Sequence, residues 1–322
     1  MSLRPAAWFS VLLALLAAGC GSAPEPYAWL EEDGATGLSH HGETVWRLRH
    51  ARVPKPFFDL CLTDGTVMTW DRPEDHVWHH AHWFAWKFID GLNYWEEDPE
   101  TGRSEGAITW SDPLIERRAD FSARISITLD YQPPGEPVLL TEQREIVIGA
   151  PSADGSYQLD WTMSFTAVGR DVTLDRTPIA GEEGGQVWGG YAGLSIRFAK
   201  ELKNWQTVGS EGPIVMPESV TNHAVRGPLG LDLSGSVGAR EAGIAILDHP
   251  DNLNAPTPWY IVMAQEQSFA FTEAALLYYD PVRIEAGDGF SLRYRVVVHE
   301  GRWKPEELQK QQEQFVEEVR EE

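Results

Sequence analysis

The chain is 322 residues long and carries 26 Lys and Arg against 49 Asp and Glu, a formal net charge of −23. That balance argues against a nucleic-acid partner, because no cationic surplus exists to displace counterions from phosphates. An apolar fraction of 42% with 14 Trp excludes a disordered chain, and two Cys are too few for a disulfide scaffold or a thiolate-rich metal site.

Residues 1–19 read as a signal peptide. Arg4 is the sole charge before Glu25, and the apolar run Val11 to Ala18 is too short to span a bilayer. It leads into Leu16-Ala17-Ala18-Gly19-Cys20, which resembles a bacterial lipobox. The resemblance implies cleavage before Cys20 and lipidation of its thiol, which would be the chain's only membrane contact. Gly21 and Ser22 follow the Cys with no retention Asp, so the expected address is the cell envelope, on the outer membrane or periplasmic face. Residues 20–42 then form a lipidated tether and lead-in. The remaining thiol, Cys61, lies between Leu60 and Leu62 and is expected in a buried strand.

From residue 43 to 303 the apolar period is two. Phe121, Ala123, Ile125, Ile127, Leu129 and Tyr131 alternate with polar residues. Tyr157 to Ala167 and Phe290 to Val298 do the same. One apolar and one polar face per strand predicts antiparallel pairing. Pro133-Pro134-Gly135 and the run from Ala150 to Gly155 mark turns. Long antiparallel strands without a clean linker predict one all-β domain, a large β-sandwich. Residues 304–322 are predicted as an acidic C-terminal helix: Pro305 suits the first turn, Glu306 and Glu307 suit its positive end, and Leu308, Phe315 and Val319 form a thin apolar stripe.

The unusual segment is 70–110. It holds Trp70, Trp78, Trp83, Trp86, Trp95 and Trp110, together with His76, His79, His80 and His82 and flanking acids that include Glu96 and Glu97. Aromatic faces stack on the C–H faces of sugar rings, while carboxylates, amides and imidazoles bond the hydroxyls; a His and an acid together can also move protons. The spacing of His76, His80 and His82 also satisfies a geometric requirement of a metal site, though it is not the metallopeptidase pattern. Structural histidines beneath aromatic packing are the third reading.

Asp75-His76-Val77-Trp78-His79-His80-Ala81-His82-Trp83-Phe84-Ala85-Trp86, followed by Gly91-Leu92-Asn93-Tyr94-Trp95-Glu96-Glu97, resembles the signature of the PmoA-like family, secreted bacterial proteins labelled "methane oxygenase PmoA". Segments from Arg176 to Arg197 and from Gly243 to Tyr260 match it in the same order. Members accompany sugar-degrading and sugar-oxidising genes, so the resemblance implies carbohydrate chemistry. It points to Asp75, His76, Trp78, His79, Trp83 and Trp86. Val77 stands where the family has Pro and His80 where it has Arg, so His76 and His79 are the stronger candidates. A weaker similarity, through the closing strand Gly287 to Arg295, is to galactose-mutarotase-like super-sandwiches; it implies His and a carboxylate at a concave sheet face.

The expectation is a surface-anchored protein doing acid/base chemistry on a sugar, of epimerase, lyase or hydrolase type. His76, His79 and His249 would act as acid/base groups, with Glu183 as a carboxylate partner. Substrate contacts would come from Asp75, Trp78, His80, Trp83, Trp86, Asn93, Trp95, Trp188, Arg197, Asn252 and Trp259. No cofactor is expected, with a metal left open. The alternatives are a non-catalytic glycan-binding lipoprotein and a metal-dependent oxidase or oxygenase. For Asp248 and Asn252 a turn-stabilising role competes, and Glu142, Arg144 and Glu145 are expected as a surface or cleft ion pair.

Overall fold

The computed structural model describes residues 26–216 and 222–321. The signal peptide and Cys20 lie outside the described residues. Among the described residues no helix is long and apolar enough to cross a membrane.

Two large antiparallel sheets face each other. The first has nine strands, in spatial order Tyr27–Glu32, Ala35–His40, Glu43–Arg49, Phe57–Leu60, His82–Ala85, Gly193–Arg197, Phe269–Ala274, Trp259–Ala264 and Asn222–Val225. The second has ten, nine of them along its path: Gly212–Ile214, Leu202–Gly209, Gly230–Val237, Arg240–Asp248, Gly289–Glu300, Tyr157–Ala167, Leu140–Ile148, Ala123–Gln132 and Ala107–Trp110, with the tenth, Leu114–Arg117, also pairing Ala123–Gln132. The expected all-β sandwich is observed, and the strands at 123–132, 157–167 and 289–300 fall where the alternation placed them.

The core lies between the sheets. Leu38, Trp46, Phe58, Phe84, Leu194, Ile196, Trp259 and Ile261 come from the nine-stranded side. They meet Ile125, Leu159, Trp161, Met163, Phe165, Ile244, Ile246 and Val296 from the other. A small sheet of Phe88–Ile89, Leu92–Asn93, Val172–Asp175 and Val282–Ile284 closes one end. Cys61 is buried as expected, and burial pushes its thiol pKa up to about 12, so it is inert.

Glu142 and Arg144 correct the sequence reading. They share strand parity with Leu140, Ile146 and Ile148, so they point inward rather than to the surface. Arg144 Nε donates to Glu142 Oε1 at 2.5 Å, Tyr131 donates its hydroxyl to Glu142 Oε2 at 2.6 Å, and the guanidinium lies over the Trp161 ring.

The C-terminal helix, Pro305–Glu321, covers the outer face of the ten-stranded sheet. Leu308 and Phe315 are buried against Ala245, Leu247 and Val297. The outer face of the nine-stranded sheet carries a second apolar cluster of Phe57, Trp83, Trp95, Tyr260, Val262 and Phe271, and this is where the cavity lies.

Candidate functional site

A cavity of about 550 Å³ opens on the outer face of the nine-stranded sheet. Strand alternation builds its floor. On Trp259–Ala264, Trp259 and Ile261 turn inward, while Tyr260, Val262 and Ala264 turn out; on the neighbouring strand Phe269 and Phe271 turn out. Asn222 comes from the edge strand, and Val187, Trp188 and Tyr191 from the Gly-rich loop.

His76, Trp78 and His79 come from two successive turns. Arg72 N–H donates to His79 O, His76 N–H to Pro73 O and His79 N–H to His76 O. The segment rejoins the sheet through Ala81 at φ 54°, a left-handed conformation that costs a non-glycine residue on the order of 1 kcal/mol. Trp95 and Glu96 are presented by Asn93, whose Oδ1 accepts from both of their backbone N–H groups at 2.8 and 3.2 Å.

The polar groups of the cavity are few and specific. The His76 and His79 rings lie 4.7 Å apart. His79 is buried, stacks on Phe271 and leaves Nδ1 without a partner. Burial first, then the positive charge of His76, Arg197, His80 and Lys55, holds its pKa well below the ordinary value, so it is a neutral imidazole. Burial also lowers His76, and Asp75 opposes that: its Oδ2 stands 3.3 Å from His76 Nδ1, though without hydrogen-bond alignment. Glu96 accepts from the Tyr191 hydroxyl at 2.5 Å and pairs with Lys87. Burial alone would raise its carboxyl, but the Lys87 ammonium and hydrogen bonds from Lys87, Tyr191 and Asn93 outweigh that and keep it ionised.

A buried chain of charges braces this arrangement from behind. Lys55 donates to Trp95 O at 2.7 Å and to Glu97 Oε1 at 2.5 Å. His80 bridges Glu97 Oε2 at 3.0 Å and Asp71 Oδ1 at 2.9 Å through its two ring nitrogens.

Of the residues singled out from sequence, the cavity brings together His76, Trp78, His79, Trp95 and Trp188. Asp75 stands beside it, paired with Arg197 Nη2 at 2.8 Å. Others are elsewhere. Trp83 packs beneath the floor, and Trp86 and Trp259 point into the inter-sheet core. Asn93 is spent on backbone caps and His80 on its two carboxylates. Arg197 is fully buried 3.7 Å under the Phe269 ring, with Nε and Nη1 unpartnered. His249 lies on the other sheet against Phe315; its Nδ1 accepts from Asp251 N–H, which leaves the proton on a buried, unpartnered Nε2. Asn252 exchanges hydrogen bonds with the Arg293 backbone and donates to Asp248, the turn-stabilising alternative. Glu183 is exposed on the loop and outside the cavity lining. Among the described residues no group of three or more His, Cys, Asp or Glu is placed to hold a metal ion.

Sequence reasoning left Glu96, Tyr260, Asn222, Phe269 and Phe271 out of the site. The Phe269-Ala270-Phe271 alternation was a usable signal for a wide aromatic face opposite a small-residue one. Nothing local distinguishes Glu96 from Glu97.

Fold and cavity together define a two-sheet all-β protein with an aromatic, imidazole-bearing cleft on one outer face. The chain belongs to the DUF6807 family, described as a family of unknown function, whose model matches residues 35–313. That description attaches no activity, oxygenase or other. No curated protein matches the sequence. Among solved structures, an alpha-galactosidase from Lactobacillus brevis is similar with a TM-score of 0.44 and 7% identity, over 84% of this chain and 39% of that one. An alpha-galactosidase from Geobacillus stearothermophilus in complex with 1-deoxygalactonojirimycin gives 0.44 and 8%, over 86% and 41%. A putative aldose 1-epimerase from Klebsiella pneumoniae gives 0.44 and 9%, over 90% and 87%. The chain thus spans about two fifths of the length of the galactosidases. At this level of overlap the likenesses carry nothing about activity.

Proposed function

We propose that this chain is a carbohydrate-active enzyme that moves protons on a sugar held in the cavity, anchored at the cell envelope through a lipid on Cys20. The observation that carries the reading is the pairing of a neutral buried imidazole, His79, with a second imidazole and an ionised carboxylate inside an aromatic cleft. The accessible aromatic walls of Trp78, Tyr191 and Phe269 suit the C–H faces of a pyranose, and Asn222, Gln267 and Glu96 offer hydrogen bonds to its hydroxyls. His79 offers an imidazole nitrogen free to accept a proton, and His76, 4.7 Å away beside Asp75, is the neighbouring group placed to relay it. Epimerisation, elimination and hydrolysis all need such a pair. The oxygenase reading that accompanies the PmoA label finds no set of three ligands among the described residues.

The test is His79→Ala against a panel of aldoses and glycosides. Turnover is followed by optical rotation, by ultraviolet absorbance of unsaturated products and by release of reducing ends. The variant is expected to bind the same sugar while turnover falls by about 100-fold or more. A native protein that binds a sugar without converting it, and whose affinity survives His79→Ala, would instead be a glycan-binding lipoprotein.

A further inference from the structure

We infer that the ligand of this cavity is a glycan chain rather than a free monosaccharide, with a second sugar unit seated outside the cleft on Trp188; the inference rests on the carbohydrate reading above. The inner wall is buried: His79 is 5% exposed and Trp95 1%. The rim is not. Trp188 is 47% exposed and Val187 78%, although both line the same cavity. The half-exposed indole leaves an aromatic face free for stacking at the mouth of the cavity.

The rim is also fixed. Asn222 Nδ2 donates to Val187 O at 2.7 Å, and the Tyr260 hydroxyl donates to Trp188 O at 3.1 Å, so the backbone beneath both side chains is tied to the cavity wall. The base of the loop is braced by Arg176, which donates to Glu182 Oε1 at 2.6 Å and to the carbonyls of Tyr278 and Tyr279. The loop is folded tightly as well. A Cβ on Gly189 would come within 2.1 Å of Pro178 O, and one on Gly190, at φ +100°, within 2.3 Å of the Tyr278 ring. This is a preset ledge: the backbone that carries the indole needs no ordering before it binds. A monosaccharide would be met by the accessible aromatics further in, Trp78, Tyr191 and Phe269; the ledge at Trp188 extends the stacking surface to a ligand that continues past the mouth.

The experiment is calorimetric titration of the native protein and of Trp188→Ala with the monomer, dimer and trimer of the gluco-, galacto-, manno- and xylo-oligosaccharide series. In the series that binds, the native protein should take the dimer or trimer at least ten-fold more tightly than the monomer. Trp188→Ala should remove most of that ratio, and Trp188→Phe should retain part of it. Melting temperatures of both variants verify folding. Equal affinity for monomer and oligomers, or a ratio untouched by Trp188→Ala, overturns the inference and leaves the proposed function standing. Binding of none of the twelve sugars overturns both.

Discussion

His79 and His82 show how far one residue type can diverge over three positions. His79 faces the cavity with nitrogens not committed to the protein, whereas His82 points into the core, donates from Nδ1 to Ser195 O at 2.9 Å and packs against Trp161. Burial lowers the His82 pKa to about 4. Below its unfolded pKa of roughly 6.5 the unfolded chain therefore binds a proton that the native state refuses. The penalty is absent above that pH and grows as pH falls towards 4, by about 1.4 kcal/mol per pH unit. His82→Asn keeps a donor for Ser195 O and removes the titration. Urea midpoints at pH 8.5, 7.5, 5.5 and 4.5 should show the gap between variant and native protein shifting in the variant's favour below pH 6.5, and staying constant above it. Which histidine belongs to which class was only half legible. The cluster was visible, and the family-like pattern favoured His76 and His79. The burial of His80 between Glu97 and Asp71 was not visible, because its partners come from other turns of the chain.

At the scale of elements, the C-terminal helix was legible because its signals are local: an N-terminal Pro, early acids and a stripe at helical spacing. Leu308 and Phe315 are buried where that stripe predicted. The role of the 248–252 turn was only partly legible: a turn-stabilising role for Asp248 and Asn252 was one reading, but the strand and helix that engage them are remote in sequence. Asp248 accepts from Thr257 N–H and Asn252, and Gln312 of the helix donates to Asp248 O. The helix is thus a stabilising cover on the sheet opposite the cavity. Phe315→Ala should cost about 3–5 kcal/mol by denaturant unfolding, as expected of a buried Phe. Ligand affinity at the cavity should stay unchanged, and a fall in affinity would show that the two sheet faces are coupled.

For the whole molecule, alternation predicts that strands exist more readily than it predicts which way they face. The long strands have one polar face and were legible in full. Around the cavity the nine-stranded sheet is apolar on both faces, so parity could not be read there, and an error of one residue exchanges core for site. Trp259 and Tyr260 are the case in point: Trp259 was placed with the substrate and lies in the core, while Tyr260 was passed over and lines the cavity. Glu142 and Arg144 extend the same lesson to charge, since they form an ion pair enclosed between the sheets. Arg144→Met leaves Glu142 buried without its cation and should destabilise the fold by about 3–5 kcal/mol. Adding Glu142→Leu should recover more than half of that, read from thermal or urea midpoints.

The order of the nine strands also has a spatial consequence. The chain enters the fold on Tyr27–Glu32 at one edge, and the cavity is built on the last three strands at the other. Six to eight inter-strand steps of about 4.8 Å make this a lever arm of roughly 29 to 38 Å measured along the sheet. A lipid on Cys20, seven residues before Tyr27, would hold the molecule by the edge remote from its mouth. Bulky polymer could then approach the ledge at Trp188 with the width of the sheet between it and the point of attachment.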